Sequence, residues 1–343
     1  MPHRTRHPFA AVVGGLALVT ACSTPGGAPE VVPASDPPTD TDATADGPSG
    51  LLIAEGNGYL HTHDLAGDEG WQQRLSYAAP WSTVAFAEQN REVLIANTSG
   101  AEPVVVTFYA IDTFSQTDAF EWPASTHIST LHAMAATTDG DHLALVMEPL
   151  RDPYLEVVDR STGEVVYTGL DITTGAAIDW TSDDRLVVPL DLSYEENPDR
   201  WGAIATFALT DLEVASGADV DGQLITTFTR AEWDVTGVED LALAPDDSEL
   251  VYELAGDLWA VDLVPGSTPR QLTTGAPSNV GPVYSPDGSH LALTSASNYA
   301  LRETFVINNH HGDPVHLDAG QEAGTEFLLE SGTLVEAMVA WLP

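Results

Sequence analysis

Lysine is absent from this chain. All eleven of its Lys-or-Arg positions are arginine, set against 52 Asp and Glu, so the formal net charge is −41 over 343 residues. Without lysine, Schiff-base chemistry and a lysine general base are excluded. So few cations also argue against nucleic acid as a partner, because binding it relies on neutralising phosphates, and leave anionic lipid surfaces little to attract. A single cysteine, Cys22, excludes a disulfide framework. No HExxH pattern, cysteine pair or DxDxDG loop supplies metal ligands at a working spacing. No serine sits in a GxSxG elbow, so no nucleophilic triad can be assembled. Helical periodicity is nearly missing too, which leaves an all-β chain. What the acids provide is a solvated surface kept soluble by self-repulsion, suited to saline or alkaline surroundings.

The chain begins with an address. His3, Arg4, Arg6 and His7 precede an apolar core, Phe9 to Val19, that is too short to span a bilayer as a stable helix. It runs into Val19-Thr20-Ala21-Cys22. That sequence resembles the lipobox of bacterial lipoproteins, which implies lipidation of Cys22 and residues 1–22 as signal peptide. Lipid chains on Cys22 would hold the protein to the outer face of the cell membrane. Removal of the signal leaves nine arginines against 52 acids, a net charge near −43. Residues 23–50 are dominated by Pro, Thr, Asp, Ser, Ala and Gly and have little to bury, so they read as a disordered tether.

Residues 51–343 are organised by one recurring phrase, fullest at Gly281 to Thr294, GPVYSPDGSHLALT. Two short apolar runs flank a Pro-Asp-Gly turn, which predicts an antiparallel hairpin. The phrase returns in worn form around Gln89-Asn90, Asp139-Gly140, Asp183-Asp184 and Pro245-Asp246-Asp247, and again between Phe327-Leu328-Leu329 and Leu334-Val335. Successive turns lie about 40 to 60 residues apart, the length of a four-stranded propeller blade. Third strands end in an apolar-Asp step at Ile111-Asp112, Val158-Asp159 and Val261-Asp262, and His63-Asp64 fits the same slot. Fourth strands follow a small turn, as Ser161-Thr162-Gly163 precedes Glu164-Val165-Val166.

These repeats, most completely Ser285-Pro286-Asp287-Gly288, resemble those of TolB-type β-propellers. The resemblance is most specific at 240–263 and 281–294. It implies four-stranded antiparallel blades and protein–protein recognition through loops and the channel mouth. Leu51 to Asp64 supplies a second and a third strand with no first strand before it, so its inner partner is expected within Thr325 to Pro343. Such pairing closes the ring and removes free sheet edges. Five internal blades and one shared blade make six; a seventh stays open.

Two sets of side chains are candidates for recognition. Arg151, Arg200 and Arg302 fall between second and third strands, and Arg230 falls in a connection between blades, which places all four at one rim. Their planar forks suit carboxylate or phosphate groups. The competing reading pairs each with a local acid such as Asp152, Asp199 or Glu303. Tyr194 and Trp201, in the long segment Asp191 to Trp201, are the aromatic candidates, with Trp81 a further one for stacking. His61 and His63, at i and i+2 on a strand, could offer two imidazoles to a metal, with His310, His311 or His316 as further ligands. Alignment of Asp64 with Asp262 sets them opposite Trp259 and Val261, which favours packing between blades.

The sequence therefore points to an exported, lipid-anchored binding or scaffolding module, monomeric, with a protein or small ligand at its loop face. No catalytic residue and no cofactor is assigned, a divalent metal being left open. The alternatives are a metal- or solute-binding lipoprotein serving a transporter, and a propeller hydrolase or lyase.

Overall fold

The computed structural model describes residues 49–56, 58–67, 70–77, 82–97, 103–122, 130–148, 153–169, 177–192, 201–210, 224–229, 232, 237–274, 279–298, 301–308, 315–316, 326–327 and 337–343. Their burial has a radial order. Second strands are buried on both faces and carry apolar runs, as at Leu143–Met147 within His142–Glu148. The outermost strand Ser115–Glu121 is exposed along nearly its whole length and reads as polar, while Leu224–Phe228 in the same place of another blade is largely buried. Both follow from sheets that stand side by side, each strand sandwiched by neighbouring blades near the axis and solvated outside.

Six four-stranded sheets result, each ordered from its inner strand outward. The first blade is β26 (Ala337–Leu342), β1 (Leu51–Gly56), β2 (Tyr59–Asp64) and β3 (Gln72–Ser76). The second is β4 (Ser82–Ala87), β5 (Glu92–Asn97), β6 (Val105–Ala110) and β7 (Ser115–Glu121). The third is β8 (Thr130–Ala136), β9 (His142–Glu148), β10 (Tyr154–Asp159) and β11 (Val165–Gly169). The fourth is β12 (Asp179–Trp180), β13 (Arg185–Asp191), β14 (Gly202–Ala208) and β15 (Leu224–Phe228). The fifth is β16 (Val238–Leu243), β17 (Glu249–Leu254), β18 (Asp257–Asp262) and β19 (Arg270–Gln271). The sixth is β21 (Asn279–Tyr284), β22 (His290–Asn298), β23 (Leu301–Asn308) and β25 (Glu326–Phe327). A short parallel pair joins β20 (Thr273–Thr274) to β24 (Val315–His316). Neighbouring inner strands touch in cyclic order, β26 meeting both β4 and β21, so the ring is a closed six-bladed propeller.

Closure occurs where the sequence locates it. β26 pairs antiparallel with β1, Leu51 opposite Leu342 and Ile53 opposite Ala340. The Trp341 indole N–H donates to the Ser49 carbonyl at 3.0 Å. Gly50 beside them has φ +117°, and a Cβ there would stand 2.2 Å from the Leu342 carbonyl oxygen, so only glycine fits.

The last predicted turn phrase is different. Phe327 does not begin a first-to-second hairpin; it pairs with Phe305 as the fourth strand of the sixth blade, ahead of β26. One hairpin fewer is what leaves the ring at six rather than seven.

Six apolar clusters fill the six spaces between neighbouring blades. Buried polar links cross the second–third and fifth–sixth seams. The Arg160 guanidinium of the third blade bonds Glu92 of the second at 2.8 Å and lies over the Phe108 ring, 3.8 Å from its centroid. The Trp122 indole donates to Glu156 at 2.8 Å. Glu249 of the fifth blade accepts from Arg270 and, at 2.8 Å, from the Tyr284 hydroxyl of the sixth.

Candidate functional site

The two ends of the ring are built differently. First-to-second turns open on one end, the turn face. Second-to-third connections and those between blades open on the other, the loop face.

On the turn face, five hairpins share one geometry. Arg91, Gly140, Asp184, Asp247 and Gly288 occupy the same turn position, all with positive φ. In four of them the backbone N–H donates three residues back, to Thr137, Thr181, Ala244 or Ser285, and in the second blade Arg91 donates to Glu88. The aspartates serve the turns. Asp139, Asp183 and Asp287 accept from the Thr137, Thr181 and Ser285 hydroxyls at 2.6–2.7 Å. Hydrogen bonds from Ser285 and Ser289 hold the Asp287 carboxyl down at about 2. Burial pushes Asp184 up, helped by the nearby charges of Asp139, Asp183 and Asp141. Neighbouring turns also bond one another, Asn90 to the Asp139 carbonyl at 2.6 Å and the Ser182 backbone N–H to Asp247 at 2.9 Å.

The loop face carries the longer connections. Arg151 falls between β9 and β10, Tyr194 and Arg200 between β13 and β14, and Arg230 between β15 and β16, all outside the described residues. Arg302 is on β23 rather than in a loop, opposite Ala296, because the β22–β23 ladder runs on to Asn298 and Leu301. Trp201 is half-buried just before β14. Its backbone is tied to Phe228 and Leu192, and its ring packs on the cluster of Phe228, Tyr252 and Leu254 between the fourth and fifth blades. Trp81, His310 and His311 lie outside the described residues, and His316 sits on β24.

The five arginines with described side chains each bond a neighbour in the fold, Arg74 and Arg91 from exposed positions. Arg74 bonds the Thr62 hydroxyl, Arg91 pairs with Asp112, Arg160 with Glu92, Arg185 with Thr206 and Arg270 with Glu249. The remaining four after residue 22 are Arg151, Arg200, Arg230 and Arg302, the same four that the chain order assigns to the loop face.

The histidine pair is a packing feature. His61 is 6% exposed, and the His63 ring rests 5.4 Å from that of Trp71. Burial pulls both imidazoles below their ordinary value. No group of three His, Cys, Asp or Glu side chains converges on a common point among the described residues.

The axial channel left no clear mark in the sequence. It encloses about 830 Å³ and is walled by all six inner strands. Its lining is mixed, with small apolar residues such as Ala133, Ala135, Ala242 and Ala340 beside polar ones such as Glu55, Glu88, His132, Asp179 and Asp240. Bulges interrupt that lining, where the ladder skips Glu239 and Asp240 on β16 and His132 on β8. Asp240 and Asp179 each reach the next inner strand, accepting from Gly281 N at 3.0 Å and from Leu243 N at 3.4 Å. Burial raises the Asp179 carboxyl to about 6. His132 meets Glu148 at 3.2 Å. The one local signal is an acid inside an apolar run, Ile178-Asp179-Trp180.

No family model and no curated protein sequence matches the chain. Solved structures resemble it in fold. TolB from Acinetobacter baumannii has TM-score 0.54 and 12% identity, over 86% of this chain and 66% of that one. A chain of a nidogen/laminin complex has TM-score 0.52 and 14% identity, over 76% and 89%. Hydrazine synthase of Kuenenia stuttgartiensis has TM-score 0.46 and 18% identity, over 66% and 62%. The chain thus spans about two thirds of the TolB and hydrazine synthase chains. At these identities the likeness to the TolB and nidogen/laminin chains establishes the propeller fold alone.

Proposed function

We propose that this chain is a membrane-anchored, extracytoplasmic β-propeller that binds a protein partner through its loop face. The reading rests on the chain order, which assigns Arg151, Arg200, Arg230 and Arg302 to one rim of a strongly acidic molecule. Guanidinium forks at such a rim suit the carboxylates of a partner. Likeness to TolB and to a chain solved in a nidogen/laminin complex supports the choice. The lipobox-like Val19-Thr20-Ala21-Cys22 supports the anchor, and hence a place on the outer face of the cell membrane.

Two measurements test it. Replacement Cys22→Ala should abolish palmitate labelling and move the protein from the membrane to the soluble fraction. Photo-crosslinking residues placed at 200 and 302 should give a discrete protein adduct in cells, whereas one at 288 on the turn face should not. Equal adducts from both faces, or none from 200 and 302, would overturn the loop-face assignment. A second reading, a solute-binding lipoprotein, is favoured by the channel, whose volume of about 830 Å³ could admit a small molecule.

A further inference from the structure

The first blade turns two histidines into the seam it shares with the sixth. His61 and His63 stand opposite Ala54 and Leu52 on β1, and those two residues belong to the apolar cluster that joins the first and sixth blades, with Val306, Met338 and Trp341. The His63 ring lies 5.4 Å from that of Trp71, which packs on the same cluster. Each imidazole has one bonded nitrogen, directed to the Gly56 carbonyl for His61 and to the Gly70 carbonyl for His63. The other nitrogen, Nδ1, is buried in both rings and has no hydrogen-bond partner among the described residues. Both rings therefore sit neutral, with Nδ1 an unoccupied acceptor. The strand that closes the ring, β26, belongs to this seam.

We propose that His61 and His63 make closure of the ring sensitive to acid, holding the sixth–first seam shut while neutral and opening it when protonated. A protonated imidazole has two N–H donors, and the second would point from Nδ1 into an apolar cluster without an acceptor. Opening the seam to water removes that cost. The charged neighbours on the first blade offer little compensation. Asp64 raises His63, but by less than burial lowers it. Glu55 accepts from the Tyr77 hydroxyl, and Arg74 bonds the Thr62 hydroxyl. On the sixth blade, Tyr284 bonds Glu249 across the other seam, and Arg302 and Glu303 begin β23 opposite Ala296 and Ser295. His290 meets the Ser289 hydroxyl through Nδ1 at 2.7 Å, and its ring lies 6.4 Å from that of Trp341. β26 carries no titratable side chain. In the third blade, by contrast, His132 has Glu148 at 3.2 Å to receive its charge. The sign follows from burial. Imidazoles held below 6.5 stabilise the closed ring above that pH, and the contribution is lost as pH falls below it. This device is independent of the loop-face reading, and each can fail without the other.

The test is hydrogen–deuterium exchange of the full chain in detergent at pH 7.5 and 5.5, read by mass spectrometry and corrected for the intrinsic pH dependence of amide exchange. Peptides from β1 and β26 should lose protection at pH 5.5, by up to about tenfold for each histidine, because a free imidazole of ordinary value 6.5 is then about ten parts protonated to one. Peptides from β9 and β13, across the ring, should not. His61→Leu/His63→Leu, which leaves apolar groups of similar bulk in the seam, should abolish the response, and His290→Gln should keep it. Thermal melts at pH 7.5 show whether each variant is folded. Exchange of the imidazole C2 hydrogens in the parent follows each ring separately, so the idea stands or falls even if the double variant does not fold. His61 and His63 should titrate below 6.5, in step with the loss at β1 and β26. Unchanged protection at β1 and β26, a loss spread evenly over all six blades, or a loss that persists in the folded double variant would overturn the proposal. So would a titration of either ring at or above 6.5.

Discussion

Asp179 should make the protein less stable as pH rises, the reverse of the usual behaviour of a carboxylate. Its folded value is about 6 against 3.8 for the free group, burial being the main cause and the nearby charge of Asp247 a smaller one, opposed by bonds from Trp180 N and Leu243 N. The fold therefore favours the neutral acid. The contribution is present in full below about pH 4, falls as pH rises through 6, and is constant above about pH 7. Two units correspond to about 3 kcal/mol at most. Of this, about 1 kcal/mol is lost between pH 5 and 8, a window that stays clear of the sequence pI near 4.1. Denaturant titrations of the parent and Asp179→Asn at pH 5, 6, 7 and 8 isolate the term, because every other carboxylate cancels in the difference. The amide variant should gain about 1 kcal/mol relative to the parent across that range. A difference that stays flat, or that falls with pH, would refute the claim that the channel wall holds this carboxyl neutral.

Two further outcomes follow from the seams and turns. Arg160→Met should destabilise by about 3–5 kcal/mol, because it strands the Glu92 carboxylate in the second–third seam, and adding Glu92→Gln should restore part of the loss in denaturant midpoints. Gly140→Ala should cost at least about 1 kcal/mol more than Gly163→Ala in thermal melts. Both glycines have φ near +70°, but a Cβ at Gly140 would stand 2.6 Å from Asn90 Nδ2 while Gly163 faces open space.

Local chemistry made most of the architecture legible. A turn needs residues that tolerate positive φ, so Asp-Gly and Asp-Asp mark it even when the flanking strands diverge. Burial on both faces makes second strands apolar, so they stand out as runs. The incomplete Leu51–Asp64 unit showed that an inner strand had to come from the far end of the chain. Failure came where neighbours decide. Phe327 lies in an apolar triplet that reads as a first strand, and only its pairing with Phe305 makes it a fourth. Trp201 looked displayed because charged residues surround it in sequence, yet it is half-buried against the apolar cluster between the fourth and fifth blades. The channel acids were hidden for a similar reason. On β16 an irregular register brings Asp240 to the bore wall, and register offsets leave no mark in composition.

The shared blade also constrains how the molecule comes into being. β1 is made early, but its inner partner lies roughly 290 residues downstream. Until synthesis has passed Leu342, the growing chain is an unlatched ring, with the backbone edge of β1 open to any other extended strand. Bringing such distant ends together costs on the order of 5 kcal/mol of chain entropy in a flexible chain, and progressively less as the five continuous blades assemble and hold the ends near each other. Latching is thus expected to be the final, slow event of folding, and the unlatched ring is the species most exposed to proteases and to strand exchange with a second chain.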